Sequence, residues 1–537
     1  MTKKSRYYIT TAIDYVNSRP HVGTAYEKIA ADAIARFHRM HGWRAADGSV
    51  SHDVFFAMGT DEHSLNVQRA AEQRGLEPQA YCDEMARAFE GAWALLDIRY
   101  DTFIRTTEPP HKRAVAEVFR RIHAAGDIFK DVYRGLYCVS CEAFYQEKDL
   151  KGGKCPTHAT EPQMIEEENY FFRLSKYAEP LLAHIDANPN FIQPDARKNE
   201  IINVIKGGLE NISVSRSNAT WGIPLPIDPA HRVYVWFDAL INYLSAAGFA
   251  DESAEGKALF DACWPADLHV VGKDITRFHC IIWPAMLMAA GIELPRTIFG
   301  HGFISVGGQK LSKSLGNVIE PSAIVEKFGA DALRYFLLRE ITWGGDGDFS
   351  WEQLEKRYNA DLANDLGNLL SRTTSMVERY LGGELSASAA QLGGWTDMKP
   401  PGTAHQMWGH FTAAWMAGMG NAIEYLWGNV RDANGKIERH APWKMAKDLD
   451  ANRDALNELF YDLLSTLRVT ALFVAPAMPA KAQAIWGALN LEGDLTATGA
   501  SAMTWRDAMD AWRARPNYTG IRAAAPLFPK QAPPPAA

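Results

Sequence analysis

Near its N-terminus the chain alternates between strand and helix patterns, and this alternation restricts the fold more than any other feature. The residues from Tyr7 to Ala12 are rich in strand formers, and after Pro20 a helical pattern runs from Val22 to His41. A strand that leads into a helix and then into another strand is the unit from which parallel sheets are built. The pattern therefore predicts a Rossmann-like parallel sheet covered by helices.

A second strand and helix set lies much later in the chain. Residues 268–271 and 298–299 have strand patterns, and residues 276–290 have the pattern of a helix between them. The segment at about 116–230 separates the two sets and contains a Cys/His cluster, an acidic run and Gly-rich turns. We interpret it as a domain inserted into the sheet, since insertions tolerate such irregular sequence.

Strand patterns almost disappear from about Glu352 onward. Helical periods over 359–380, 411–425 and 455–474 predict an all-α C-terminal domain. We therefore expect an α/β fold with the parts 1–115, 116–230, 231–350, 351–525 and a flexible tail at 526–537. In that tail only Leu527 and Phe528 offer apolar surface that could dock.

Composition restricts the possible roles of the chain. It has 537 residues, 47% hydrophobic residues and a formal net charge of −8, as expected for a globular protein of several domains. The acidic balance argues against indiscriminate binding to nucleic acid, so an RNA partner would need a local basic surface. The N-terminus shows no secretory signal, and the longest apolar run, from Cys280 to Gly291, is too short to span a bilayer. We expect a cytoplasmic protein.

Two short Cys/His pairs predict a metal site within the inserted segment. Cys138 and Cys141 form one CxxC pair, and Cys155 and His158 form a similar pair after a hairpin with two glycines. Four such ligands complete a tetrahedral Zn²⁺ site and leave no open position, so the zinc would be structural. Chance clustering is the alternative.

Two separate segments have the composition of phosphate-binding sites. His21, Gly23 and Thr24 lie where a strand passes into a helix, a position at which backbone N–H groups favour an anion. Residues 310–314, Lys-Leu-Ser-Lys-Ser, follow Gly307 and Gly308 on what the sequence suggests is a mobile loop. Either segment alone is more often a helix cap or a solvated loop, and their occurrence together favours a nucleotide site.

The two segments resemble the HIGH and KMSKS signatures of the class I aminoacyl-tRNA synthetases, in the right order and at fitting spacing. Further matches at 15–17, 59–63, 235–239 and 272–284 resemble the methionyl-tRNA synthetase family. The resemblance covers nearly the whole chain. It implies a catalytic Rossmann-like domain, an inserted zinc-binding domain and an all-α anticodon-binding domain. It also implies that methionine is activated by ATP to the adenylate and then transferred to the 3′ end of tRNA(Met).

The resemblance also implies roles for particular residues. Catalytic roles fall on His21, Thr24, Lys310 and Lys313. The ATP site would comprise Asn17, His21, Gly23, Thr24, Gly272, Asp274 and Lys313. The methionine site would comprise Ile13, Tyr15, Asp61, Trp236, Ala239, Leu240, Tyr243, Ile275, His279 and Trp283.

This chain departs from the signatures at two positions. Thr24 replaces the second His of HIGH, and it keeps a hydroxyl but loses the imidazole. Leu311 replaces the Met of KMSKS, and it keeps an apolar side chain of similar size.

Methionine requires soft apolar walls and one anion for its ammonium group. Trp236, Leu240 and Tyr243 follow helical spacing, and His279 and Trp283 repeat a four-residue step, so one pocket could collect both helices. Any single aromatic side chain here is more often part of the core. A methylene is worth only about 1 to 3 kcal/mol in such a pocket, so near-isosteric amino acids would be rejected imperfectly.

The resemblance assigns anticodon reading to Asn368, Arg372 and Trp443 in the helical region. Loop bases are read by stacking and by hydrogen bonds to their edges, although Asn and Arg commonly solvate helices and Trp often packs a core. We expect Mg²⁺ to accompany ATP. The resemblance implies a homodimer only when a tRNA-binding module follows the helical domain; here a Pro/Ala tail follows it, so we expect a monomer.

Two rival functions can be weighed from the sequence. A ligase for another apolar amino acid would normally carry a large editing insertion, which is missing here. A non-enzymatic RNA-binding relative would have lost phosphate-facing residues, yet His21, Lys310 and Lys313 are present.

Overall fold

A computed structural model of the protein describes residues 4–44, 48–138, 143–145, 147, 150–156, 160–217, 219–311, 317–386, 415, 418–497, 503–507 and 517–529. The chain forms two compact units. The first comprises Met1–Ala31, Arg44–Ala94 and Ile98–His301, and the second comprises Asp32–Trp43, Leu95–Asp97 and Gly302–Ala537. Residues 302–350, which the sequence groups with the sheet, thus cluster with the helical unit.

A parallel sheet organises the first unit, and this confirms the predicted fold class. The strand Val54–Asp61 is buried along its whole length, as expected for a strand covered by helices on both faces. One short strand comes from within the segment predicted as an insertion. In spatial order the strands are Ile192–Gln193, Ile298–His301, Leu268–Gly272, Tyr7–Thr11, Val54–Asp61 and Asp14–Tyr15, with Thr102–Arg105 also beside Val54–Asp61.

The helix Val22–His41 has the bounds that the sequence predicts. Two later helices begin at a serine whose side chain accepts a backbone N–H, namely Ser64 and Ser253. The other helices that lie wholly or mainly in this unit are Leu65–Gln73, Pro78–Leu95, Pro109–Ala124, Ala178–Ala187, Asp195–Lys206, Val235–Leu240, Asn242–Ala246, Ala254–Cys263 and Trp283–Ala290, with 3₁₀ turns at Leu174–Tyr177 and Lys273–Ile275 and a π-helical turn at Phe278–Ile282.

Antiparallel sheets occupy the region between the two parts of the parallel sheet. One has the order Ile212–Ser213, Gln163–Phe172, Ile128–Cys138, Ala143–Tyr145. Another has the order Ser215–Arg216, Asp228–Val233, Pro224–Leu225. The remaining short strands are Trp43–Arg44 and Val50–Ser51.

The second unit is mainly helical, as the sequence predicts. Its core holds the buried guanidinium of Arg334, which pairs with Asp32 at 2.6 Å and donates to three backbone carbonyls, so the buried charge is compensated. The helices are Pro321–Phe328, Ala330–Glu340, Trp351–Arg357, Asn368–Leu381, Met419–His440, Pro442–Met445, Leu449–Val474 and Pro479–Ala488, with a π-helical stretch at Tyr358–Gly367 and a 3₁₀ turn at Ala446–Asp448. A small sheet is formed by Gln309–Lys310, Ile304–Val306 and Gly347–Phe349.

The segment before the C-terminus docks through its apolar pair. Leu527 and Phe528 are buried, and the ring of Phe528 lies 5.9 Å from that of Tyr358. Lys481 Nζ donates to the carbonyl oxygen of Leu527 at 2.8 Å. The packed chain thus extends to Pro529, and residues 530–537 lie outside the described residues.

No helix in the described part of the chain is long and apolar enough to cross a membrane.

Candidate active site

The carboxyl ends of the parallel strands bring several candidate residues to one edge of the sheet. Tyr15 is the register partner of Asp61, so two candidates for methionine binding lie side by side on neighbouring strands. Gly272 is likewise the register partner of His301. Ligands of open α/β sheets bind at this edge, where loops from different strands converge.

A hydrogen-bonded aromatic cluster lies against the strand Leu268–Gly272. The hydroxyl of Tyr243 lies 2.6 Å from His279 Nε2, and both side chains are buried. His279 Nδ1 donates to the carbonyl oxygen of Ile275 at 2.9 Å, so Nε2 is the acceptor for the tyrosine hydroxyl. Burial lowers the pKa of His279 to about 4, so its ring is neutral at neutral pH. Trp283 packs against Tyr243 at 5.9 Å and completes the cluster.

His269 supports this cluster from the strand, and sequence reasoning did not single it out. Its ring lies 4.2 Å from that of Tyr243. Trp283 Nε1 donates to His269 Nε2 at 3.4 Å, so Nδ1 carries the proton and donates to Thr10 Oγ1 at 2.6 Å. The occurrence of a histidine in an otherwise apolar strand could have indicated that His269 has a role in the site.

The helix that carries Trp236 is shorter than its spacing predicts. The expected continuous helical face is interrupted at Ile241, between the helices Val235–Leu240 and Asn242–Ala246. Leu240 and Tyr243 are buried, whereas Trp236 is half-buried and stacks on Phe278 with ring centroids 3.8 Å apart. Phe278 opens a π-helical turn, a feature frequent at functional sites, and it too was missed from the sequence.

The other candidates for the methionine site lie in the same unit. Ile13 and Ile275 are half-buried and pack against the apolar cluster that contains Leu240, Tyr243 and Trp283. Ala239 and the side chain of Asp61 are buried. The hydroxyl of Tyr15 makes a short hydrogen bond with Ser64 Oγ.

The segment His21–Thr24 is held by hydrogen bonds at the start of the helix Val22–His41. The backbone N–H groups of Gly23 and Thr24 donate to His21 Nδ1 at 3.1 and 3.3 Å. A backbone N–H can only donate, so the neutral ring of His21 carries its proton on Nε2. The hydroxyl of Thr24 donates to the carbonyl oxygen of His21 at 2.8 Å and accepts from the backbone N–H of His21 at 3.0 Å, so Thr24 holds the His21 backbone. Asn17, in the connection before this helix, is exposed.

A buried charge network extends from this helix to the edge of the sheet. Lys28 Nζ lies 3.0 Å from Asp14 and 2.7 Å from Glu27, whose other carboxylate oxygen lies 2.9 Å from His301 Nε2. Burial raises the pKa of Asp14 to about 7 although Lys28 opposes this, whereas Lys28 and His301 together outweigh burial and lower the pKa of Glu27. Only the adjacent Glu27 and Lys28 within an apolar helix pattern could have indicated this network.

The candidate ribose-binding residues lie close to this network. Gly272 is buried, and a Cβ there would lie 2.6 Å from Asp274 Oδ1 and 4.0 Å from His301 Nε2. Glycine therefore allows the backbone to lie close to the Asp274 carboxylate. Asp274 itself is exposed.

A hairpin in the second unit contains Lys310. Gly307 and Gly308 both have positive φ, 59° and 74°, and join two antiparallel strands by a two-residue turn. Lys310 ends the second strand, and Leu311 after it is half-buried. Lys313, like all of 312–316, lies outside the described residues.

The two described members of the predicted metal site approach the same residue. Cys138 Sγ lies 3.5 Å from Thr160 Oγ1, and the backbone N–H of Cys155 donates to the carbonyl oxygen of Thr160 at 2.8 Å. Both cysteines are buried. Cys141 and His158 lie outside the described residues, and the described residues alone contain no group that could hold a metal ion. Cysteine thiolates are ligands that suit a soft metal ion such as Zn²⁺.

The three candidates for anticodon reading belong to the second unit. Asn368 is exposed at the start of the helix Asn368–Leu381, and Trp443 is 39% exposed. Arg372 pairs with Glu438 at 2.7 Å, and Glu438 lies five residues before Trp443. This ion pair therefore links the two candidate segments.

Comparison with known proteins identifies the class and then the family. A family model described as tRNA synthetases class I (M) matches residues 7–163 and 148–374. The methionine–tRNA ligase of Caldanaerobacter subterraneus subsp. tengcongensis is 44% identical over 495 residues, which cover 92% of this chain and 75% of the relative. That of Streptomyces coelicolor is 40% identical over 547 residues, with 99% and 98% coverage.

A solved structure is similar over the same extent. The Mycobacterium tuberculosis methionyl-tRNA synthetase in complex with methionyl-adenylate matches with a TM-score of 0.85 at 41% identity and covers 99% of both chains. The chain belongs to the methionine–tRNA ligase family of class I tRNA synthetases.

Proposed function

We propose that the site in the first unit activates methionine with ATP and that the enzyme then loads methionine onto tRNA(Met). The observation that carries this proposal is the buried Tyr243–His279 hydrogen bond in the aromatic cluster that packs on the strand Leu268–Gly272. It provides a rigid, uncharged wall for a ligand that binds to the parallel sheet.

The methionine side chain would enter between the aromatic cluster and the residues after the first strand. Neutral His279 and Tyr243 offer polarisable surface without a charge, which suits a thioether. Asp61 would face the ammonium group from the end of its strand. The remaining walls would be Ile13, Tyr15, Trp236, Ala239, Leu240, Ile275 and Trp283.

ATP would bind between the start of the helix Val22–His41 and Gly272. The fixed tautomer of His21 leaves Nε2–H as its donor, which suits phosphate oxygens as their charge grows in the transition state. Thr24 would act by holding His21, because its hydroxyl proton is donated to the backbone. Gly272 and Asp274 would bind the ribose, and Asn17, Gly23, Lys310 and Lys313 the phosphates, with Mg²⁺ accompanying the nucleotide.

Chemistry at this site consists of two displacements. The methionine carboxylate attacks the α-phosphorus and pyrophosphate leaves, and then a ribose hydroxyl of the tRNA attacks the mixed anhydride and AMP leaves. The protein's part is to position the reactants and stabilise charge.

Zinc would bind Cys138, Cys141, Cys155 and His158 and would stabilise the antiparallel hairpin region. Metal analysis of the purified protein should give one zinc per chain. Protein that is well folded and free of metal would remove this assignment.

The tRNA anticodon would be read by Asn368, Arg372 and Trp443. The exposed Trp443 ring suits stacking on an unpaired base, and Arg372 suits hydrogen bonds to base edges.

ATP–pyrophosphate exchange across the twenty amino acids, without tRNA, tests the activation step. We expect exchange with methionine alone. Exchange with another amino acid would contradict the proposed pocket, and no exchange from well-folded protein would contradict the proposed chemistry.

A further inference from the structure

A buried carboxylate lies between two histidines near the proposed methionine site. Asp238, in the helix Val235–Leu240, is fully buried, and each of its oxygens meets one imidazole. Asp238 Oδ2 lies 2.8 Å from His63 Nδ1, and Oδ1 lies 2.6 Å from His111 Nε2. A carboxylate removed from water in this way is costly unless partners fully compensate it.

The hydrogen bonds show which atoms of Asp238, His63 and His111 carry protons. Burial alone would raise the pKa of Asp238, but His63 and His111 lower it to about 2, so the carboxylate is ionised. An ionised carboxylate only accepts, so His63 Nδ1 and His111 Nε2 both donate. The other ring nitrogen of His111 lies 2.9 Å from Ser245 Oγ, and the ring of His63 packs edge-on against Trp221 at 5.5 Å.

The cluster connects the segments that carry the two sides of the proposed methionine site. His63 lies two residues after Asp61, the proposed partner of the ammonium group. Asp238 lies between Trp236 and Ala239, which belong to the proposed side-chain wall. His111 adds the helix Pro109–Ala124 as a third fixed element.

We propose that Asp238 is a positioning residue that sets the distance between the ammonium-binding side and the side-chain wall of the methionine site. This inference rests on the proposed function. The carboxylate fixes the segment with Asp61 relative to the segment with Trp236 and Ala239, and it does not belong to the proposed contact surface. Its role is therefore to fix the length of amino acid that the site accepts. A wall at a fixed distance from the ammonium site discriminates against a ligand that is one methylene longer.

Steady-state exchange kinetics of Asp238→Asn test the proposal. Asparagine keeps the shape of the side chain, but its NH₂ group is a donor. It can therefore accept a hydrogen bond from only one of the two histidines through its oxygen. We expect the KM for methionine to rise about ten- to a hundredfold, since a misplacement of about 1 Å can cost a hundredfold, while the KM for ATP stays unchanged. We also expect the preference for methionine over ethionine, measured as the ratio of kcat/KM values, to fall.

Asp127→Asn is the matched control. Asp127 is a buried carboxylate of the same unit that accepts from Lys176 at 2.8 Å and from the Tyr177 hydroxyl at 2.6 Å, and these partners lie outside the proposed pocket. It should lower Tm without changing the KM for methionine. An equal rise of KM in both variants, or no rise in folded Asp238→Asn, would overturn the positioning role.

His63→Asn provides a second route should Asp238→Asn fail to fold. Asparagine can place an amide donor near the position of His63 Nδ1, which faces Asp238, but it lacks the ring. A smaller rise of the methionine KM is therefore expected, and a wild-type KM and ethionine preference would overturn the proposal. The proposed function has its own readouts: it fails if the wild type shows no methionine-dependent exchange or if Asp61→Asn leaves the methionine KM unchanged.

Discussion

The aromatic cluster around Tyr243 and the helical surface around Trp443 are both assigned to ligand binding, yet they are built in opposite ways. Tyr243 is 1% exposed and its hydroxyl is fixed by His279, whereas Trp443 is 39% exposed on a short helix. A small apolar ligand needs a wall that is rigid and dry before it arrives. An RNA base instead needs an aromatic face that is still accessible.

The largest effect should come from removing the hydroxyl that fixes the pocket. Tyr243→Phe leaves His279 Nε2 buried without its donor, which costs about 1 to 3 kcal/mol. We expect kcat/KM for methionine in the exchange reaction to fall about ten- to a hundredfold. Tyr335→Phe is the control, because it removes another buried hydroxyl, bonded to Asp361 in the helical unit. Comparable losses in both variants would show that the pocket hydroxyl has only a structural role.

Changes on the exposed surface around Trp443 should affect tRNA charging and not ATP–pyrophosphate exchange. Trp443→Ala removes a proposed stacking platform worth about 1 to 3 kcal/mol per base, so tRNA charging should fall about tenfold or more while exchange stays at the wild-type level. Trp351→Ala is a matched control, since Trp351 is also exposed, at 41%, in the same unit. If exchange and charging fell together, the anticodon role of Trp443 would be excluded.

Features that depend on local patterns could be predicted from the sequence, whereas features that depend on contacts between distant segments could not. The helix Val22–His41 and the parallel sheet follow from period and order alone, because those patterns are local. The spacing of Trp236, Leu240 and Tyr243 predicts one continuous helical face, whereas the structure has two short helices that meet at Ile241, a break that residue spacing alone does not show. His269 and Glu27 were missed because their partners lie far away in the chain.

The stability that the buried charge network around Asp14 contributes should depend on pH. Asp14 keeps its proton up to about pH 7 in the folded protein but has an ordinary pKa of 3.8 when unfolded. The folded state therefore binds more protons between these values, so this group's contribution to stability is present at low pH and is lost as pH rises toward 7. Asp14→Asn lacks this contribution. The Tm of the wild type relative to the variant should fall between pH 5 and 7.

The exposed Asp53, paired with Arg6 at 3.1 Å, provides the control for this series. Asp53→Asn should show a nearly constant Tm difference from the wild type over the same range. A wild type that gains stability relative to Asp14→Asn as pH rises would contradict the assigned protonation of Asp14.

The smallest effect should come from the ion pair that restrains Arg372. Glu438 holds the Arg372 guanidinium at 2.7 Å, and both side chains are partly exposed, so the pair is worth only about 0 to 1 kcal/mol. If Arg372 binds the anticodon, Glu438→Gln releases it and removes a negative charge from the RNA surface. We expect a lower KM for tRNA, by a factor of about two to five, at unchanged Tm and exchange rate. A higher KM for tRNA would instead mean that Glu438 orients Arg372 for binding, and the helical surface would then be preorganised in the same way as the pocket.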